Sequence, residues 1–199
     1  MTGISALRPN RRTLWQRVRG RLAPFLHLGL PQVVFVYRHD LAEIPPPTPG
    51  PGCAIEMLDK ERLPLLWQVW DVDPGEVRDR VGRGDRCYAG FVDGRLAHYT
   101  WAQTAGRHHL AAAGRHLAIQ NGEVWLYHSR TAEWARGRGL YTSALRTILT
   151  DYRREGIVRS WCYALAENVG SQRGILRAGF VVDRRLRSLR LGSLYFRLP

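Results

Sequence analysis

The chain has 199 residues, 45% of them apolar, with seven tryptophans. That supports one domain, or one domain with an appendage, around a core that needs no staples, and it excludes an intrinsically disordered chain. A net charge of +13, almost wholly arginine because Lys60 is the only lysine, calls for an anionic partner (nucleic acid, an acidic membrane or protein, a phosphorylated small molecule) or for a solvated arginine-rich surface.

Residues 1–39 contain no acid, and Asp40 is the first. Within them, RRTLWQRVRGRLAPFLHLGL repeats Leu14, Val18 and Leu22 at helical spacing among arginines. Such a basic amphipathic helix packs on its own domain and exposes its arginines, or lies on a membrane or acidic partner. Its composition also resembles a transit peptide. QVVFVYRHD, rich in β-branched and aromatic residues, reads as a strand. AEIPPPTPGPG then excludes regular helix and central strand, so residues 1–53 form an N-terminal segment with a proline-rich connector. The main domain is expected over 54–199.

AIEMLD opens it as a short strand. KERLPLLWQVW and DPGEVRDRVGRG read as helices, with Pro74 at the start of the second. RCYAGFVDGRLAHYTWAQT is a hairpin turning at Asp93-Gly94. Residues 105–122 read as an irregular loop in which His108, His109 and His116 are solvated; no carboxylate or cysteine stands near them for a metal site. EVWLYHSRT is a strand. A helix follows with Tyr141, Leu145, Ile148, Leu149 and Tyr152 on one face, ending at Gly156. SWCYALA is a strand, NVGSQRGILRAG a short helix, and two strands close the chain. This order predicts an α+β fold with a mixed, mostly antiparallel central sheet flanked by helices. Cys53, Cys87 and Cys162 are too sparse for zinc or a disulfide framework and fit a reducing cytoplasm, with Cys87 and Cys162 in the core. No apolar run reaches the ~18 residues of a transmembrane helix.

The informative stretch is EWARGRGLYTSAL, where Gly137 and Gly139 alternate with Arg136 and Arg138 at the start of a helix. The first N–H groups of a helix lack internal partners and carry partial positive charge. Glycines let an anion approach the backbone. This is a phosphate or pyrophosphate site. The P-loop is excluded because no lysine is present, and the dinucleotide fingerprint because Thr142 stands where glycine or alanine belongs.

Arg136-Gly137-Arg138-Gly139-Leu140-Tyr141 resembles the acyl-CoA loop of the GNAT superfamily of N-acyltransferases, with Tyr141 replacing a small residue. Asn168, Ser171, Gly179 and Phe180 resemble that family's second motif at its usual spacing. The likeness covers residues 54–198. It implies acetyl-CoA or another acyl-CoA as cofactor and direct attack on the thioester by a small primary amine. It also implies a splayed parallel strand pair, 123–131 and 160–166. The backbone of Ser129, Arg130 and Thr131 would hold the pantetheine arm, with one N–H facing the thioester oxygen. Arg136, Gly137, Arg138, Gly139, Leu140 and Tyr141 would hold the phosphates. Asn168 would bond the pantetheine amides, alongside a helix-capping role, and Ser171 would reach the phosphates.

The family's usual acid, a tyrosine, falls on Ile175; Tyr163 or Tyr127 would stand in, or the thiolate would leave unprotonated. His128 is the candidate base and Glu123 the second, each with an ordinary strand role as the competing reading. Cys162 has no base beside it and reads as core. Trp67, Trp70, Trp101 and Trp125 serve the acceptor pocket or the core. Two alternatives stand: a non-catalytic acyl-CoA-binding or acidic-partner-binding protein on the same scaffold, and a nucleic-acid binder, for which no motif is present.

Overall fold

A computed structural model describes residues 31–191 and 194–198. The basic helix expected over 11–30 lies outside them. Local signals place most elements where expected. Asp93 and Gly94 take positive φ values of 49° and 76°, the conformation of a tight hairpin turn, and join β3 (Arg86–Val92) to β4 (Arg95–Gln103). Asp73 accepts from the Gly75 N–H and caps α1 (Pro74–Gly82), with Pro74 at its first position. KERLPLLWQVW makes only a short 3-10 helix, Leu63–Gln68; Pro64, in its first turn, bars a start as early as Lys60.

The strands β1 (Pro31–His39), β2 (Cys53–Leu58), β3, β4, β7 (Glu123–Thr131), β8 (Arg159–Leu165), β9 (Val181–Leu191) and β10 (Leu194–Leu198) form one sheet. Its order is β10-β9-β1-β8-β7-β4-β3-β2, and only β7 and β8 are parallel neighbours. The expected α+β, mostly antiparallel architecture is therefore present. β1, which the sequence places ahead of the main domain, is an interior strand between β8 and β9. Val34 and Val36 are fully buried there. The sheet is thus not confined to 54–199, because β1 fills the slot that two later strands leave open.

On one face, Val124, Leu126, Cys162 and Ala164 meet Leu145, Ile148, Leu149 and Tyr152 of α2 (Leu140–Arg154) and Ile175 of α3 (Val169–Arg177). On the other, Tyr99 and Trp101 pack under Leu66, Val72 and Val77. The connector lies against the helical side: the Arg146 guanidinium donates to the Pro46 carbonyl at 3.0 Å and to that of Arg177.

Residues 105–122 are more ordered than the sequence suggests. They fold into a small hairpin, β5 (Arg107–Leu110) and β6 (Arg115–Ala118), turning at Gly114 with φ +57°. Leu110 and Ala113 are buried against Val34, Val36 and Trp125. His108 is consequently not a solvated loop residue but is 3% exposed, stacked on Trp125 at 4.8 Å. All three cysteines are free, and Cys87 and Cys162 are buried. No helix among the described residues is long and apolar enough to cross a membrane.

Candidate functional site

The site begins with two irregularities in β7. Against β4 the register pairs Tyr99 with Arg130 and Trp101 with Tyr127. Two β7 residues, His128 and Ser129, thus oppose Thr100 alone. This is a β-bulge, and His128 carries its strain with φ +50°. The bulge breaks the alternation of side chains. Tyr127 and His128 both turn to the face that carries α1, where each meets Arg80. Ser129 and Thr131 turn to the opposite face.

Against β8, β7 pairs in parallel only at Glu123–Arg159, Val124–Ser160 and Trp125–Trp161. Beyond Trp125 the strands part, since β7 follows β4 while Cys162 and Tyr163 of β8 stay paired with Tyr37 and Val36 of β1. The splay opens main-chain edges of both strands.

The Gly-Arg loop shares a cleft with the splayed end of β7, Ser129 to Thr131. Gly139 caps α2 with φ +75° and supplies no side-chain cap, so the first-turn N–H groups remain open. Gly137 has φ +79°, and nothing lies within 4 Å of a Cβ built at either glycine. Positive φ, not crowding, is what demands glycine here. One cleft of about 1660 Å³ brings together Ser129, Arg130, Thr131, Arg136, Gly137, Gly139, Leu140, Tyr141, Asn168 and Ser171. Arg138 is off the cleft wall, its carbonyl beside Gly50 of the connector. Arg62, Arg95, Arg173 and Arg177 add charge to the wall, which holds one acid, Glu133. Trp134, exposed and stacked under Arg95 at 4.6 Å, is a cleft residue the sequence reading passed over, although it lies within the quoted stretch.

Below the cleft runs a polar chain. Thr100 donates to Ser129 Oγ at 2.9 Å, so it accepts from His98 Nε2–H, leaving Nδ1 to accept from Thr131 at 2.8 Å. Burial lowers the His98 pKa to about 3 and keeps the ring neutral. The Tyr141 ring lies between His98 and α3, 5.7 Å from the former. A Cβ on Gly174 would stand 2.7 Å from Tyr141 Cδ1, so the two residues share one space. Burial raises the Tyr141 pKa, although hydrogen bonds from Ser171 and Ser129 favour ionisation. Asn168 Oδ1 accepts from the Ser171 N–H at 3.0 Å and caps α3.

The four catalytic candidates lie off the cleft wall. Glu123 sits at the far end of β7, accepting from the Gln120 N–H at 3.1 Å and paired with Arg159 at 3.6 Å. Eight residues of strand, roughly 26 Å, separate it from Thr131. His128 Nδ1 meets the Arg80 guanidinium, which can only donate, so the hydrogen of the neutral ring is on Nε2. Burial, then Arg80 and Arg130, lower its pKa to about 4. As placed, His128 offers a donor rather than a base. The Tyr127 hydroxyl donates to Asp85 at 2.6 Å, and burial followed by that bond raises its pKa. Tyr163 is also raised by burial. Ile175 is fully buried in the core and carries no proton.

His108 spans the other side of the splay, 5.0 Å from the Tyr127 ring and 6.0 Å from that of Tyr163. Its Nδ1 bonds Gln103 Oε1 at 3.1 Å, which places the hydrogen there and leaves a lone pair on Nε2. Burial lowers its pKa to about 4, with the neighbouring His109 and Arg83 adding to the effect.

No family model and no curated protein sequence matches the chain. Solved structures do. A GCN5-related N-acetyltransferase from Sphaerobacter thermophilus superposes with a TM-score of 0.62 at 16% identity over 89% of this chain and 55% of its own. A putative GNAT-family acetyltransferase from Novosphingobium aromaticivorans gives 0.57 at 18% identity, over 79% and 63%. A GNAT-family acetyltransferase from Colwellia psychrerythraea gives 0.56 at 15%, over 92% and 75%. The chain has the fold of the GCN5-related N-acetyltransferases. It spans a little over half the length of the first two.

Proposed function

We propose that this chain transfers an acyl group, most simply acetyl, from acyl-CoA to a primary amine. The observation that carries the reading is the convergence of the β7–β8 splay, the bulge and the Gly-Arg loop on one arginine-walled cleft. Those residues fit the cofactor. The open N–H groups of Leu140, Tyr141 and Thr142, with Arg136, would hold its pyrophosphate. The free edge of β7 at Ser129, Arg130 and Thr131 would take its amides. Ser171 stands beside them, and Asn168 acts mainly by capping the helix that presents Ser171. When bound, acyl-CoA supplies an activated thioester.

The chain's own residues would manage protons around it. Arg80 and Arg130 make the region near His128 positive, which favours the free amine over the ammonium. The Tyr141 hydroxyl, kept protonated by burial, is a proton donor at the gap and replaces the one Ile175 lacks. A second reading, a binder without turnover, is favoured by the donor state of His128 and by the buried Ile175.

Melting of the protein with and without acetyl-CoA tests the proposal. At about 100 times Kd the ligand adds about 2.7 kcal/mol, a rise of roughly 5–10 °C. The rise is expected to vanish in Gly139→Glu and Arg136→Glu. No rise in the native chain removes the proposal; a rise without acyl transfer to any amine selects the second reading.

A further inference from the structure

The part of the cleft that the cofactor's phosphates do not use is basic and aromatic, and what it selects is an inference that rests on the transferase reading. The cleft measures about 1660 Å³, well above the ~300–1,000 Å³ of a site for one small molecule. It passes the end of β7 to the sheet face away from α2, where Leu65, Trp70 and Phe91 line it beside the Tyr99 and Trp101 core. Val69 and Trp134 on its wall stay exposed. Arg62 lies over the Phe91 ring at 5.4 Å, and Arg95 over Trp134 at 4.6 Å, where β7 leads into the loop. Arg130 pairs across the sheet with Tyr99, so its side chain leaves the face opposite Ser129 and Thr131. A guanidinium stacked on a ring keeps its N–H edge free for a carboxylate. Arg62 is shared with Glu56 at 2.6 Å. Arg95 and Arg130 have no ion pair among the described residues. The phosphates have Arg136 of the loop and Arg173 and Arg177 of α3, which leaves these three for the acceptor.

The type of amine follows from what the cleft lacks. No histidine lines it, and its one carboxylate, Glu133, pairs with Arg136 at 3.4 Å. An amine that attacks here must arrive with its lone pair already free. An α-amine titrates near 7.7–8.0 and lysine near 10.4, so at about pH 7.5 roughly a third of the former and about a thousandth of the latter are unprotonated. Arginine walls favour the neutral amine further and repel cationic bodies such as polyamines. A nucleic acid matches the charge, but its amino groups are conjugated to the base rings and are poor nucleophiles. An acidic chain that begins with an α-amine meets both conditions. Arginines spread along one cleft suit several carboxylates rather than one. In the transfer, nitrogen bonds the acyl carbon and the C–S bond breaks with its electron pair on sulfur. The proton that nitrogen sheds balances the one the CoA thiol gains.

We propose that the acceptor is the N-terminal α-amine of an acidic peptide segment, whose carboxylates meet Arg62, Arg95 and Arg130 and whose apolar side chains lie against Trp70 and Phe91. The test titrates the full chain, by fluorescence anisotropy, with heptapeptides labelled at the C-terminus and free at the N-terminus. They differ only in carrying three Glu, three Gln or three Lys after the first residue. The Glu peptide is expected to bind about tenfold more tightly than the Gln peptide and the Lys peptide more weakly still, with the gap closing as salt rises. The double variant Arg62→Gln, Arg95→Gln changes no buried group. It is expected to keep the melting temperature within a few degrees, keep the rise with acetyl-CoA, and weaken the Glu peptide about tenfold while sparing the Gln peptide. With acetyl-CoA, thiol release is expected with the Glu peptide and not with an N-terminally blocked form that carries an internal lysine. Equal binding of the three peptides, loss of the acetyl-CoA rise in the double variant, acetylation of the internal lysine, or tighter binding of a ten-nucleotide RNA than of the Glu peptide would overturn the proposal. A normal acetyl-CoA rise with no charge preference would remove this inference alone. Charge-selective peptide binding without that rise would remove the transferase reading and leave the acidic-peptide site standing.

Discussion

Tyr141 and Gly174 illustrate how one substitution dictates another. The three atoms nearest a Cβ at 174 all belong to the Tyr141 ring. With tyrosine present, a methyl at 174 would meet the ring at 2.7 Å. Gly174→Ala is therefore expected to destabilise the native chain by about 1–3 kcal/mol through overpacking. In a Tyr141→Ala background the same change is expected to stabilise by about 0.5–1 kcal/mol, because alanine is the better residue within a helix. Chemical denaturation of the four proteins gives the cycle; the same sign in both backgrounds would refute the shared space. Their shared space could not be read from the sequence, since positions 141 and 174 meet only when α2 and α3 pack. Asn168 was legible because its partner, the Ser171 N–H, is three residues away.

Among elements, strand β7 was readable to the residue, as was the hairpin at Asp93-Gly94, because alternation and turn chemistry are local. The bulge was not. It is defined by the count of residues on β4, and it alone decides that His128 faces Arg80. β1 shows the same limit: its strand character was evident, its place between β8 and β9 was not. Deleting residues 1–53 is expected to abolish cooperative unfolding, because both neighbours lose an interior partner and the fully buried Val34 and Val36. A sharp thermal transition from the 54–199 fragment would show that the sheet closes without β1.

For the molecule as a whole, buried histidines couple stability to pH. His98, His108 and His128 have folded pKa values lowered from 6.5 to about 3, 4 and 4. A lowered histidine pKa means the unfolded chain binds more protons, so stability is full above about pH 6.5 and falls as pH drops toward 4. At pH 5, His98 and His108 should each withdraw about 2 kcal/mol, with a smaller share from the half-buried His128. Against a typical total of about 5–15 kcal/mol this is large. Urea midpoints at pH 8 and pH 5 measure it. Equal midpoints would mean that these rings are hydrated in the folded state.

The sequence by itself determined the class of fold and the positive-φ glycines that open α2. Helix caps, turns, periodicity and the need for positive φ are all set by residues a few positions apart. Only the tertiary structure decided which face each β7 side chain meets, that His108 is buried over the splay and that the β7–β8 splay lies toward Thr131, at the opposite end of the strand from Glu123. It also brought Arg80 and Asp85 together with Trp101 of β4, Tyr127 of β7 and His108 of β5. Those are matters of strand register and packing across the sheet, set by partners on separate elements, and no local pattern encodes them.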